Sequence, residues 1–170
     1  MKFSVTTGLC LVLLIVASSV GVAQIRTIEG KGEEYHHAMY LNFKHAADQA
    51  QALFTQMSLP HDLEMEIVRE HIDEIWMNLD RARIQHAMVH KTYGTDEARM
   101  VTENHDVLLK AHLAATENCK LLKAELDKKN PDRESIKNFA SELYVQASKA
   151  ASEHLDGMKK LGLQEMKIPS

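Results

Sequence analysis

Residues 101–126 read VTENHDVLLKAHLAATENCKLLKAEL, and their spacing decides the fold. Val101, His105, Leu108, His112, Ala115, Cys119, Leu122 and Leu126 follow one another in alternating steps of four and three. Side chains so spaced form one stripe along a helix, the stripe that packs against neighbouring helices. Three members of the stripe, His105, His112 and Cys119, recur every seventh residue and can ligate a metal. A polar group in such a seam loses its water on folding and needs a partner. The same stretch therefore raises the question of function.

The pattern repeats on either side. Leu59-Pro60 and Asn130-Pro131 place a proline at or near the first position of a following helix. Tyr93-Gly94-Thr95-Asp96 offers a stop followed by a cap. These breaks predict four helices, roughly 31–57, 60–92, 96–129 and 132–161. Each has its own seam, such as His36, Tyr40, Phe43, Ala47, Ala50 and Phe54 in the first. Short connections make successive helices antiparallel, so the predicted fold is all-α, an up-down-up-down four-helix bundle. Two long hairpins meeting in a homodimer form the competing arrangement. Plentiful Ala and only 5% aromatic residues suit an all-helical chain.

The N-terminus reads differently. Lys2 precedes the apolar run Leu9–Val16, and Gly21-Val22-Ala23 closes a small-residue stretch before Gln24. That is the pattern of a secretory signal peptide over 1–23, cleaved after Ala23. Its apolar run is shorter than the roughly 20 residues a spanning helix requires. The expected product is one domain, 24–170, in the periplasm or outside the cell. Cys10 leaves with the signal and Cys119 remains alone, so no disulfide framework is available. A net charge of −4 and pI near 6.2 speak against a nucleic-acid partner. No second long apolar run predicts a membrane span in the mature chain.

All 10 histidines lie beyond the signal. Counting residues back from each turn compares heights across antiparallel helices. By that count His86, His105 and His154 converge on one layer, with His90 one turn from His86. His36 and His37 stand nearby at the open end of the first helix, beside Glu33 and Glu34. The opposite end is apolar, with Met57, Leu126 and Ile136. Neighbouring imidazoles repel one another when protonated, and neutral imidazole is a preferred ligand of divalent transition metals. The sequence thus predicts a copper or zinc site. Its ligands are read as His86, His105 and His154, completed by His90, His36 or His37, and its role as sequestration, delivery or sensing. His71 with Cys119 forms a second candidate site.

Other chemistries lack their motifs. A Glu-x-x-His motif on each of two helices, the di-iron pattern, is missing. So are Cys-x-x-Cys-His, a Gly-rich phosphate loop and a nucleophile elbow, and nothing marks an enzyme. Two further readings stay open. Haem could sit non-covalently between His36 and His105, or between Met39 and His112. Alternatively the chain is a ligand-free stress chaperone or interaction module, with Trp76 and surface Met on its working face.

Overall fold

Helix formers separated by turn residues fold as their periodicity dictates. The computed structural model describes residues 32–60, 64–92 and 101–163. The signal peptide read at 1–23 and the turn read at Tyr93–Asp96 lie outside these residues. Among the described residues there are four helices: α1 Glu33–Ser58, α2 Met65–Thr92, α3 Thr102–Leu126 and α4 Arg133–Lys160. They pack together, and the described residues contain no strand. The described part of the chain is all-helical.

Contacts between helices pair rising numbers with falling ones. Asn42 meets Gln85 and Gln49 meets His71 between α1 and α2. Between α2 and α3, His112 meets Leu79 and Cys119 meets Ile72. His36 meets His154 between α1 and α4, and Asn104 meets Glu153 between α3 and α4. The α1/α2, α1/α4 and α3/α4 seams are closely packed along their length, whereas α2/α3 is the loosest of the four.

The sequence stripes become the core. Phe43, Leu53, Ile72, Ile75, Leu79, Leu122, Ile136 and Leu143 are fully buried. Ala46, Ala50, Ala82, Ala115, Ala140, Ala147 and Ala150 are equally inaccessible. Large side chains fill the space between helices, while alanines let the backbones approach closely. Burying each of the large members contributes about 1.5–3 kcal/mol.

Helix ends follow from local chemistry. Glu33 and Glu34 occupy the first turn of α1, where the helix dipole favours negative charge. Asp132 caps α4 by accepting from the Ser135 backbone N–H at 3.0 Å. Gly162, with φ 75°, ends α4. Its N–H donates to the Lys159 carbonyl at 3.0 Å, and the Leu163 N–H donates to the Met158 carbonyl at 3.0 Å. This double closure requires a left-handed residue, which glycine supplies without strain.

The last turn of α1 carries no basic residue of its own. Arg133, at the start of α4, substitutes for one by donating to the carbonyls of Gln56, Met57 and Leu59. One guanidinium thereby serves the Met57 and Leu59 carbonyls and shares the Gln56 carbonyl with the Leu59 N–H. Arg133→Ala is expected to lower unfolding stability by about 1–3 kcal/mol, because charged hydrogen bonds are lost and carbonyls are orphaned. Urea unfolding at neutral pH, with the slope unchanged, measures this.

Candidate metal centre

Four-residue spacing places His86 and His90 on successive turns of one face of α2. Across the loose α2/α3 seam, α3 presents His105. The Nε2 atom of His90 lies 3.1 Å from Nε2 of His86 and 3.0 Å from Nε2 of His105. One ligand nitrogen from each ring falls within 4.8 Å of the other two. The His86 and His105 rings are nearly parallel at 24°, and His90 crosses them at 77° and 84°. Three ring nitrogens cluster together.

That geometry suits a tetrahedral cation. Metal–nitrogen bonds of about 2.0–2.1 Å separate the ligand nitrogens by roughly 3.3–3.4 Å. The observed 3.0 and 3.1 Å contacts need only a few tenths of an ångström of outward movement. Hydrogen bonding alone serves the three atoms poorly. A neutral imidazole has one N–H and one lone pair. If His90 Nε2 accepts, two donors compete for a single lone pair. If it donates, one neighbour is left facing it with nothing to share. A cation accepts all three lone pairs at once.

Protonation is no easier a solution. Burial, with the neighbouring His90 and His105, pushes the His86 pKa down to about 4. Burial and then His105 also lower that of His90. The ligand-competent, neutral form of His86 is therefore maintained below neutral pH. His86 and His105 are partly buried and His90 is exposed, so a fourth coordination position faces solvent. Asp106 Oδ1 stands 3.7 Å from Nδ1 of His105. A carboxylate on the far side of a ligand imidazole orients the ring and raises its basicity. The sequence reading passed over Asp106, although its position directly after His105 was a visible signal.

The remaining predicted ligands are placed elsewhere. His36 and His154 form a separate pair between α1 and α4, Nδ1 to Nε2 at 3.3 Å. Both are buried. His154 Nε2 also lies 3.0 Å from the His36 carbonyl, so its N–H is shared between that oxygen and the His36 ring. Burial followed by the His36 ring pulls the His154 pKa to about 3, and burial followed by His37 brings His36 to about 4. His37 is buried and lies 3.6 Å from Glu33. The residues expected on one layer thus face two different seams, His86, His90 and His105 in one and His36 with His154 in the other.

At the second predicted site, each residue is engaged with other partners. His71 Nδ1 contacts Gln49 Oε1 at 2.6 Å, while Cys119 Sγ lies 4.0 Å from the Ile72 carbonyl. His112 donates from Nε2 to the Leu79 carbonyl at 3.1 Å and meets the Phe43 ring edge-on. Burial raises the Cys119 thiol pKa to about 11. An aqueous disulfide reagent at pH 8 is expected to modify it roughly 100-fold more slowly than a free thiol, since so little thiolate forms. Reaction at the ordinary rate before unfolding would contradict the placement.

No family model matches this chain, and neither a curated protein nor a solved structure similar to it was found.

Proposed function

We propose that this protein binds one divalent transition-metal ion, copper or zinc, through His86, His90 and His105. The clustering of three imidazole nitrogens within 4.8 Å of one another carries the reading. Copper leads by intrinsic affinity at nitrogen ligands and zinc follows. Three protein ligands with an open fourth position distinguish such a site from a closed structural one. An open and partly exposed site allows exchange, which favours sequestration, delivery or sensing over a purely structural ion. Nothing in the arrangement identifies a substrate.

The rest of the reading follows from the chain around the site. Paired contacts with opposed numbering support an up-down-up-down bundle. The leading 23 residues support export to the periplasm or beyond, where the mature domain would meet its metal.

A competition titration tests the proposal. Purified protein freed of metal should take up one equivalent of Zn(II) and of Cu(II). Each of His86→Ala, His90→Ala and His105→Ala should weaken binding by at least about 100-fold, the loss of one bond in three. Unchanged affinity in all three variants would overturn it.

A further inference from the structure

Away from that triad, the α1/α4 seam contains a differently built pair of imidazoles. We propose that His36 and His154 form a second, interior site for a single monovalent closed-shell cation, Cu(I) in nature and Ag(I) as a probe, held between His36 Nδ1 and His154 Nε2. It does not depend on whether the triad binds anything.

Geometry is the first support. The two ring planes lie within 12° of each other and the centroids are 5.0 Å apart. The facing nitrogens are closer, at 3.3 Å, and meet hydrogen-bond geometry. Lone pairs lie in the imidazole plane, so the in-plane orbital of one ring is directed at the nitrogen of the other. A two-coordinate ion with bonds near 2.0 Å places its nitrogens roughly 4 Å apart. Parting the rings by roughly 0.7 Å from the observed 3.3 Å accommodates it. His154 must then carry its proton on Nδ1, the other neutral tautomer, and release the His36 carbonyl. That oxygen sits within α1, where the helix ladder supplies another donor.

Charge selects the ion. The pair is buried and offers two neutral ligands, with the Glu33 carboxylate acting on His36 less strongly than burial and His37 do. The cost of desolvating an ion rises steeply with its charge, so two neutral nitrogens suit a monovalent cation and not a divalent one. The surroundings select for softness. Met39, one turn along α1 from His36, and Met158, one turn along α4 from His154, are both almost wholly buried. Spacings of three and four residues put each thioether on the face of its histidine, and thioethers favour Cu(I) over harder ions. The outer triad, by contrast, has three nitrogens and solvent access. The two sites fit different oxidation states of the same metal.

Anaerobic Cu(I) and Ag(I) titrations of two variants, with a chromophoric chelator as competitor, separate the sites. His90→Ala/His105→Ala should keep one equivalent of monovalent ion with affinity within about threefold of the unaltered protein. His36→Gln/His154→Gln should lose that equivalent by at least 100-fold while retaining Zn(II). Because the second variant removes buried groups and could unfold, side-chain nitrogen NMR of the unaltered protein gives an independent result. One equivalent of Ag(I) should shift His36 Nδ1 and His154 Nε2, leaving the His71 and His112 nitrogens in place. Absence of monovalent binding in the first variant, or no shift at those two nitrogens, overturns the interior site. Loss of Zn(II) binding with the interior ion retained, or the reverse, identifies which of the two assignments fails.

Discussion

Saturating zinc is expected to raise the melting temperature by roughly 10 °C, and His105→Ala should abolish the rise. A ligand that binds only the folded state stabilises it by about 4 kcal/mol at 1,000 times its dissociation constant. A chain of this size gains roughly 2–4 °C per kcal/mol. The location of the triad makes the effect large. His86 and His90 belong to α2 and His105 to α3, the loosest of the four seams. A metal bonded to both would close the one seam that apolar packing leaves weak. Calorimetry with and without zinc, on unaltered protein and His105→Ala, checks this directly. An equal rise in both proteins would place the stabilising metal elsewhere.

Acid should unfold the metal-free protein earlier than its carboxylates alone would dictate. His154 and His36 have folded pKa values near 3 and 4, against 6.5 for an unperturbed imidazole, with burial as the main cause of both depressions. Below pH 6.5 the unfolded chain takes up protons at these rings while the folded chain does not. Stability is therefore full above about pH 6.5 and is lost as pH falls toward 4. A tenfold difference in proton affinity between the two states corresponds to about 1.4 kcal/mol, so acidification from pH 7 to 4.5 should cost on the order of 3–5 kcal/mol. That is a substantial part of a typical domain's stability. Glu125, held low by Lys128 and the Asp132 N–H, and Asp132, held low by Ser135, titrate below this window. Denaturant unfolding between pH 7 and 4.5 in the presence of a chelator measures the loss. A profile flat through this range, or no reduction of its slope in His154→Leu, would contradict the buried neutral pair.

The helices were legible from period and punctuation, although α2 begins at Met65 and not at Pro60, and α3 at Thr102 and not at 96. Pro131 follows a turn and precedes the Asp132 cap, and Gly162 closes α4, both as their local chemistry requires. The stripe from Leu108 to Leu126 is buried as its spacing implies. Height along the axis was legible as well: His86 with His105, and His36 with His154, do lie at matching levels. Direction around each helix was not. Residue counting gives rise along an axis but leaves the rotation of one helix against its neighbour open. His154, expected with His86 and His105, turns toward α1, where His36 receives it. His90, expected only to complete the site, instead stands between His86 and His105. Cys119 and His112 share the seventh-residue repeat of His105, but their partners are the Ile72 and Leu79 carbonyls of α2. A backbone oxygen is invisible in a pattern of side chains, and this is why a core histidine and a ligand histidine read alike.

X-ray absorption at the zinc edge of the one-to-one complex tests the central claim most directly. Three imidazoles binding through His86, His90 and His105 predict three nitrogen scatterers at about 2.0–2.1 Å, together with the outer-shell pattern of imidazole rings. In His105→Ala the fitted imidazole number should fall from three to two. A first shell of oxygen with no imidazole signature, or a spectrum identical in the two proteins, would contradict the assignment.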